Sequence, residues 1–458
     1  MNPEDFYLFQ EGGKSFLLHI PSSIYFELDT VAQTFFTLLK NGYSSKEVHQ
    51  HVVSAFTLRE ADEMMEEFSK FEEEAARIKK TFNPSTEINN ISLNVVQECN
   101  LKCRYCYGQE GTYGYKGFMS RKTGKASLDF LFDQLHNAKE CSVGFFGGEP
   151  LLNFQLVKLL IPYALEKAES YRKKVHFTIT TNGTLLTDHV IKFLNKNRIG
   201  VIISIDGPKE IHDYNRPFKN GASSYDVIYP RVKKLLNSRK GRVTARSTAT
   251  HGHVYYTVFK HLIEMGFRQV HIEPATGDII SNNAIILSDY RRIAKDVLDH
   301  IRKERHVLFS NLSDLMGKTY LTTTRHYGCG AALRYVGISA EGGIYVCHRF
   351  VGEPKFKMGT VWDFDPELQT EIIENNVDNR SPCNECWARY YCGGGCIFES
   401  YFYHRNIRKP YTQRCDLFKA ALKLSIWLYS QVKDEDHTIL DDMYERHTRD
   451  YIKDDKSP

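Results

Sequence analysis

The chain has 458 residues, of which 42% are hydrophobic and 25% charged, so its composition is that of a soluble globular protein with two or three domains. The formal net charge of +4, from 60 basic and 56 acidic residues, provides no electrostatic footprint for nucleic acid. No apolar stretch approaches the roughly 20 residues of a bilayer-spanning helix, and the N-terminus lacks a secretory signal pattern. We therefore expect a cytoplasmic protein that binds neither nucleic acid nor membranes.

Residues 1–85 are predicted to form a small domain in which short strands precede three amphipathic helices. The strands surround the Gly12-Gly13 turn, and the first helix has Asp29 as its N-cap candidate and ends at Asn41-Gly42. The predicted helices span 29–42, 44–56 and 57–80. We expect a compact module of three strands and three helices, joined to the next domain by a linker.

Residues 86–312 alternate between apolar strands and amphipathic helices, which predicts a parallel sheet with right-handed crossovers. The strand candidates are 91–96, 142–148, 175–183, 199–207, 242–250 and 269–275. The helix candidates are 128–139, 156–174, 189–198, 225–240 and 255–266. Because six strands are too few for an eight-stranded barrel, we expect an α/β domain in the form of a partial, open (β/α)6 barrel.

Residues 313–458 form a third region that is rich in glycine, cysteine and aromatic residues. Its predicted elements are two short strands, 335–340 and 343–350, and one helix over 421–435. Since this region has too little contiguous apolar sequence to fold by burial alone, we expect its folding to depend on metal.

The eleven cysteines fall into two groups, and in a cytosolic chain they indicate metal or redox chemistry rather than disulfides. Cys99, Cys103 and Cys106 lie directly after the first strand of the middle domain. Three thiolates at this spacing can ligate three irons of a four-iron cluster and leave the fourth iron open to a small molecule. A zinc site would need a fourth ligand, and no other cysteine or histidine is nearby.

This CxxxCxxC sequence, with Tyr105 before the last cysteine, resembles the signature of the radical S-adenosylmethionine (SAM) superfamily. Three later strand ends carry motifs in the same order as that family: GGEP at 147–150, TNG at 181–183 and SIDGP at 204–208. HDYNRPF at 212–218 resembles the loop that follows. The resemblance implies a [4Fe–4S] cluster on the catalytic Cys99, Cys103 and Cys106. It also implies SAM-binding residues, namely Tyr105, Gly147, Gly148, Glu149, Thr181, Asn182, Ser204 and Asp206.

The chemistry of these residues suits such contacts. Glycines allow close backbone approach, Glu149 can pair with an ammonium group, and Ser204 and Asp206 can bond ribose hydroxyls. Glu273, at the end of the sixth strand, could face the same cavity. Taken singly, SIDGP could be a buried strand followed by a turn, and Glu149 could be a carboxylate at the core edge.

The second group of cysteines resembles the seven-cysteine SPASM domain of radical SAM peptide-modifying enzymes, with a zinc ribbon as the generic alternative. The seven positions are Cys329, Cys347, Cys383, Cys386, Cys392, Cys396 and Cys415. The resemblance implies two auxiliary [4Fe–4S] clusters, and therefore three clusters in total. It assigns the first auxiliary cluster to Cys329, Cys347 and Cys396, and the second to the other four.

Seven thiolates are one short of the eight that two clusters need, so one auxiliary iron should be open. A cysteine of the substrate can occupy an open iron, because iron binds soft thiolates well. Cys141 or His348 could fill the position instead, although Cys141 precedes an apolar strand and is better explained as a buried thiol.

The N-terminal unit resembles, by element order and length, the winged-helix-like recognition element of enzymes that modify ribosomally made peptides. This resemblance implies that a leader peptide adds as a strand to a sheet edge. Residues 6–20 would provide that edge and helix 29–42 the groove wall. A structural cap or a dimerisation domain is the alternative.

Together the resemblances imply a maturase of the sactipeptide or ranthipeptide type. A 5′-deoxyadenosyl radical from SAM would activate a carbon of the precursor peptide, and a cysteine sulfur would form a thioether bond to it. Such an enzyme takes its electron from a donor such as flavodoxin or ferredoxin. The alternatives are a carbon–carbon crosslinking maturase, an anaerobic sulfatase-maturing oxidase and a zinc-ribbon binding protein.

Overall fold

The structure is a computed structural model that describes residues 3–77, 84–239, 241–250, 255–277, 283–303 and 307–433, with residues 440 and 443. The N-terminal unit contains three strands and three helices, as predicted. Its elements are β1 (Phe6–Glu11), β2 (Lys14–His19), β3 (Ile24–Leu28), α1 (Thr30–Lys40), α2 (Ser45–Ala55) and α3 (Leu58–Arg77). The Asp29 side chain accepts a hydrogen bond from the Ala32 amide, which confirms the predicted N-cap of α1.

The three strands form an antiparallel sheet in the order β1-β2-β3. Side chains on β2 alternate between two cores, because Leu17 packs with the three helices while Phe16 and Leu18 pack with the core of the rest of the chain. The expectation that residues 6–20 provide a free sheet edge is wrong for β2, which is paired on both sides. The outer strands of this sheet are β1 and β3.

The middle of the chain is an open parallel sheet with helices between its strands. The strands are β4 (Asn90–Val96), β5 (Glu140–Gly147), β6 (Lys174–Thr181), β7 (Gly200–Ser204), β8 (Val243–Ala249), β9 (Gln269–Pro274) and β10 (Leu308–Phe309). The helices are α4 (Arg121–Asp133), α5 (Phe154–Ser170), α6 (Asp188–Lys196), α7 (Lys209–Asn215), α8 (Tyr225–Ser238), α9 (Tyr255–Glu264) and α10 (Asn283–Arg302). Strands β4 to β9 lie in chain order and pair in parallel, so the predicted open (β/α)6 architecture is confirmed.

Helix α4 differs from its prediction because it begins seven residues earlier and ends at Asp133. Ser120 caps it by accepting a hydrogen bond from the Thr123 amide. Gly124 lies inside the added segment, although glycine has a low helix propensity. In the structure Gly124 lets α4 approach α5 closely, since an added Cβ would lie 3.0 Å from Leu160. Helices α7 and α10 were not predicted.

The C-terminal region continues the same sheet instead of forming a separate layer. Its elements are α11 (Ser310–Tyr320), β11 (Tyr335–Ile338), β12 (Gly343–Tyr345), β13 (Lys357–Thr360), β14 (Asp363–Phe364), α12 (Glu367–Glu374), α13 (Arg389–Cys392), α14 (Ile397–His404) and α15 (Cys415–Lys433). Strand β11 pairs in parallel with β4, and β12, β13 and β14 follow as antiparallel neighbours.

This continuity changes the expectation that the C-terminal region cannot fold by burial alone. Val336, Ile338 and Ile344 are fully buried in the same apolar core as Leu93 of β4. The region therefore shares the main core, and dependence on metal stays a prediction for the loops that carry the cysteines. Among the described residues, no helix combines the length and apolar character needed to cross a bilayer.

Candidate active site

A cavity of about 690 Å³ follows the inner face of the parallel strands to their carboxyl ends, where the C-terminal region covers it. It brings together most of the residues that the sequence analysis selected, including Glu273, which was expected to face it. The selected residues that line it are Cys99, Cys103, Tyr105, Cys106, Gly147, Gly148, Asn182, Ser204, Glu273 and Cys396. Of the predicted SAM-binding residues, Glu149, Thr181 and Asp206 do not line it, and neither do six of the selected cysteines, Cys329, Cys347, Cys383, Cys386, Cys392 and Cys415.

Asp206 is fully buried, and its carboxylate is bonded entirely to the protein. It accepts hydrogen bonds from the Tyr105 hydroxyl at 2.6 Å, from Arg216 Nε at 3.0 Å and from the Thr248 amide at 2.9 Å. This arrangement differs from the predicted contact with a ribose. Asp206 instead ties the cysteine loop, through Tyr105, to the ends of β7 and β8.

Glu149 is also fully buried and bonded to the chain. Its carboxylate accepts from the Thr181 hydroxyl at 2.7 Å, the Asn182 amide at 2.8 Å and the Leu151 amide at 3.1 Å. Burial raises its pKa to about 7, and these three hydrogen bonds limit the increase. This geometry differs from the predicted pairing of Glu149 with an ammonium group. The Glu149 carboxylate instead bonds Thr181 and so joins the ends of β5 and β6.

Two side chains donate hydrogen bonds to the first group of thiols. Asn182 Nδ2 lies 3.8 Å from Cys99 Sγ, and Arg216 Nη1 lies 4.0 Å from Cys103 Sγ. Burial raises the pKa of Cys99 to about 11 and that of Cys103 to about 12, with Arg216 opposing the shift at Cys103. Both thiols are therefore protonated at neutral pH without a metal, and a metal that bound them would displace the protons.

Glycines allow the backbone to pack closely around the first cysteine loop. A Cβ on Gly148 would overlap the carbonyl oxygen of Glu98, and one on Gly111 would lie 2.6 Å from the Gly148 Cα and 2.9 Å from the Cys99 Cβ. The backbone of Gly147 and Gly148 therefore lies directly against the cysteine loop and on the cavity wall. Three thiols with this glycine wall fit an iron–sulfur cluster with a small molecule bound to its open iron.

The second group of cysteines divides into two sets in space. Cys347 is buried, and its thiol pKa is raised by burial and then by the nearby charges of Cys329 and Cys396. Burial also raises the pKa of Cys392 to about 11, with Cys415 and Cys383 as its charged neighbours. Cys415 in turn lies near Cys383 and Cys386. This division matches the interleaving that the SPASM resemblance implies, and the ligand roles stay predictions.

Three consecutive glycines between Cys392 and Cys396 divide the second group of cysteines into its two sets. Gly393, Gly394 and Gly395 all have φ between 68° and 83°, which is left-handed backbone that favours glycine. Their turn separates Cys392 from Cys396 so that each joins a different set. Gly328 packs against the Gly395 carbonyl so closely that a Cβ would overlap it, and this contact brings Cys329 beside Cys396.

All eleven cysteines are free thiols. Within the described ranges, no three His, Cys, Asp or Glu side chains converge on a position for a single metal ion. Cluster ligands differ from zinc ligands in this respect, because each thiolate bonds a different iron of the cluster. The second group of cysteines provides three thiols in one set and four in the other, and their roles as cluster ligands stay predictions.

Glu273 forms a network on the cavity wall with three charged residues that the sequence analysis did not select, Arg349, Glu399 and Arg414. Arg414 donates to Glu273 at 3.3 Å through Nη1, and through Nη2 it forms a 2.8 Å ion pair with Glu399. Arg349 lies 3.9 Å from the same Glu399 carboxylate. Burial alone would raise the pKa of Glu273, but the hydrogen bond and charge of His271 and the nearby arginines lower it to about 2.

Three members of this network could have been identified from their positions in the sequence. Arg349, Glu399 and Arg414 lie within three residues of Cys347, Cys396 and Cys415, and charged residues are rarely buried without a partner. The network joins the end of β9 to the cysteine-rich loops and closes the cavity on that side.

The sequence analysis considered two residues, Cys141 and His348, as substitute ligands for the set of three thiols. Cys141 lies in the apolar core and is 2% exposed, as predicted for a buried thiol. The His348 ring lines the cavity, and its Nδ1 is 2.6 Å from the Tyr335 hydroxyl. Cys141 therefore supplies no fourth donor to the set of three thiols, and the Nδ1 atom of His348 is bonded to Tyr335.

Comparisons with known proteins agree with this architecture. Residues 93–264 match the Radical SAM superfamily. A cysteine-type anaerobic sulfatase-maturating enzyme of Clostridium perfringens (strain 13 / Type A) is 25% identical over 330 residues, which cover 65% of this chain and 85% of that enzyme.

Two solved structures share the fold. The structure of anSMEcpe with bound AdoMet has a TM-score of 0.61 and 20% identity, and the match covers 78% of this chain and 98% of that one. Streptococcus suis SuiB bound to its precursor peptide SuiA has a TM-score of 0.51 and 18% identity, covering 89% of this chain and 97% of that one. The SuiB match extends over more of this chain than the anSMEcpe match.

Proposed function

We propose that this chain, which contains a radical SAM domain over residues 93–264, is a maturase that crosslinks a ribosomally made precursor peptide through thioether bonds. The observation that carries the proposal is one continuous cavity lined by thiols of two separate cysteine sets, Cys99, Cys103 and Cys106 on one side and Cys396 on the other. A carbon activated at the first set and a sulfur held at the second can meet inside this cavity.

The first set would hold a [4Fe–4S] cluster on Cys99, Cys103 and Cys106, with SAM bound beside it, as anSMEcpe binds AdoMet. When bound, these groups supply a 5′-deoxyadenosyl radical that removes a hydrogen atom from a substrate carbon. The protein contributes the close backbone of Gly148 and the cation of Arg216, both of which line the cavity. A donor such as flavodoxin or ferredoxin would supply the electron.

The auxiliary sets would hold two further [4Fe–4S] clusters, one on Cys329, Cys347 and Cys396 and one on Cys383, Cys386, Cys392 and Cys415. The cluster on three thiols would leave one iron open to a further soft ligand, since Cys141 is packed in the core and His348 Nδ1 is bonded to Tyr335. We propose that a cysteine of the substrate takes this position as a thiolate. A thioether then requires the loss of two hydrogens: a hydrogen atom passes from the carbon to the 5′-deoxyadenosyl radical, the thiol hydrogen leaves as a proton, and the remaining electron would pass to the auxiliary cluster.

The N-terminal unit would bind the leader of the precursor. SuiB, whose match covers 89% of this chain, was solved with its precursor peptide. Strand β1 already packs on the C-terminal region, since Tyr7 stacks on Trp387 at 3.9 Å and a Cβ on Gly12 would overlap Trp427. Strand β3, whose Phe26 contacts Phe71 of α3, is the outer strand that we propose a leader strand would extend.

The test is anaerobic incubation with SAM, a reductant and a candidate precursor peptide encoded beside this chain. The thioether proposal expects a peptide lighter by two hydrogens per crosslink, with one fewer thiol open to alkylation. The same loss of mass with all thiols still alkylated would indicate a carbon–carbon crosslink and contradict the proposal. A precursor left unchanged while SAM is cleaved would contradict peptide crosslinking altogether.

A sulfatase-maturating oxidase is the second candidate, favoured by the sequence similarity to the Clostridium perfringens enzyme. In structural comparison, the match to anSMEcpe covers 78% of this chain, whereas the match to SuiB covers 89%. An oxidase would replace the thiol sulfur of a single cysteine by a carbonyl oxygen. Fragment masses of the same peptide distinguish the two products, because only a crosslink joins two residues.

A further inference from the structure

Arg349 is the residue that connects the cavity to the set of three auxiliary thiols. Its Nη1 donates a hydrogen bond to Cys396 Sγ at 3.7 Å, and its Nη2 donates to the Thr276 hydroxyl beyond the end of β9. Its side chain is 19% exposed. The guanidinium is thus fixed between the barrel and the sulfur.

Aromatic rings fix the guanidinium from its faces. Its central carbon lies 4.3 Å from the Phe398 ring centre and 5.1 Å from that of Tyr107, which follows Cys106 directly. Arginine stacks on rings in this way while its edge still donates hydrogen bonds. Arg349 can therefore hold one orientation toward Cys396.

The charge of Arg349 is only partly neutralised by carboxylates. Glu399 is 3.9 Å away and is already paired with Arg414 at 2.8 Å. Burial lowers the pKa of Arg349, but the charges of Cys396, Tyr107 and Glu399 outweigh burial and raise it. Arg349 Nη1 lies 3.7 Å from Cys396 Sγ and 3.9 Å from the Glu399 carboxylate, which also pairs with Arg414, so Glu399 neutralises only part of the charge beside the sulfur.

The set of four thiols also has a buried arginine, but its hydrogen bonds go elsewhere. Arg380 donates through Nη1 to the Gly394 carbonyl at 2.8 Å and through Nη2 to the Ser400 hydroxyl at 3.1 Å. Its Nε donates to the Arg408 carbonyl at 3.3 Å. All three of these bonds end on oxygen, whereas Arg349 bonds a sulfur.

We propose that Arg349 raises the reduction potential of the auxiliary cluster on Cys329, Cys347 and Cys396, by donating to the Cys396 sulfur and by its positive charge. The inference rests on the proposed function, because it needs that cluster. One-electron reduction adds one negative charge to a cluster without making or breaking a bond, and a nearby cation stabilises the reduced form. Arg349 is a positioning residue in this account, since it acts on the cluster and not on substrate.

The experiment is a redox titration with dithionite as reductant, followed by electron paramagnetic resonance, in a background with Cys99, Cys103 and Cys106 changed to alanine. Cys347→Ala in this background identifies the signal of the set of three thiols. The variants are Arg349→Gln, Arg349→Lys and the control Arg408→Gln, which removes an exposed pair with Glu374. Total iron is measured in each.

Arg349→Gln should shift the midpoint of the identified signal to lower potential and leave the other auxiliary signal unchanged. Arg349→Lys should give a smaller shift, because it keeps the charge and loses the planar donor. Arg408→Gln should shift neither signal. An unchanged midpoint in a glutamine variant with full iron would overturn the inference, as would loss of this cluster from both Arg349 variants, which would indicate a structural role. A background that holds no auxiliary iron would instead contradict the proposed function.

Discussion

The two groups of cysteines are assembled by different means. The first lies within one loop after β4, and a buried ion pair between Asp206 and Arg216 fixes that loop to the barrel. The second is spread from Cys329 to Cys415 and meets through close glycine contacts between loops. The first group should therefore be sensitive to loss of charge pairing, and the second to small additions of volume.

The largest expected effect is at the ion pair of the first group. Asp206→Ala leaves Arg216 buried without its carboxylate, and breaking a buried pair from one side costs about 3–5 kcal/mol. We expect a large loss of stability in anaerobic urea unfolding, together with loss of SAM cleavage. Asp226→Ala, which removes an exposed partner of Lys209, should change neither. Equal stability of the two variants would contradict a charge-fixed loop.

The second largest effect is expected from a substitution at Gly148, which packs behind the same cysteine loop. Gly148→Ala adds a Cβ that overlaps the Glu98 carbonyl, and such overpacking costs about 1–3 kcal/mol. We expect weaker SAM binding, measured by equilibrium dialysis of the reconstituted protein. Gly241→Ala meets only the flexible Arg239 side chain, at 3.4 Å, and should bind SAM normally. Normal SAM binding by Gly148→Ala would show that the backbone at this wall can move.

The second group of cysteines should instead be sensitive to added volume, and Gly328→Ala tests this. Gly328→Ala adds volume at the Gly395 carbonyl and should separate Cys329 from Cys396, with loss of about four of the protein's irons. SAM cleavage without peptide should survive, because the first group is untouched. Gly330→Ala, on the other side of Cys329, meets nothing closer than 3.6 Å and should keep all its iron. Full iron in Gly328→Ala would contradict assembly by glycine contact.

The smallest expected effect concerns the junction of the N-terminal unit with the second group. Tyr7→Leu removes the stack on Trp387, and aromatic pairs contribute about 0.5–1.5 kcal/mol beyond their buried area. We expect a small decrease in melting temperature with unchanged iron. Tyr43→Leu, at an exposed ring that contacts His51, is the control. A melting temperature that falls no further in Tyr7→Leu than in the control would mean that this stack does not hold the junction.

Much of the fold could be predicted from sequence because its signals are local. The six parallel strands and the Asp29 cap follow from hydrophobic period and capping residues. The start of α4 could not be predicted, since the benefit of Gly124 is its contact with Leu160 on another helix. Nor could the free edges of the N-terminal sheet, which depend on strand pairing.

In the candidate site, too, local signals could be read from the sequence and long-range contacts could not. Cysteine spacing selects the thiols, and strand-end motifs select a cavity edge. Whether a carboxylate at that edge faces ligand or protein depends on distant partners, and Asp206 and Glu149 both turn inward to Arg216, Tyr105 and the β6 end. Arg349 and Arg414 carry no motif, and only the folded chain brings them to the cavity.

The measurement that tests the account most directly is the iron and zinc content of anaerobically purified protein, compared with the variant in which Cys99, Cys103 and Cys106 are alanine. Three clusters predict about twelve irons in the natural chain and about eight in the variant. Both proteins should be brown, and neither should contain stoichiometric zinc. A colourless protein that holds zinc, or a variant that loses no iron, would contradict a SAM-binding cluster with two auxiliary clusters.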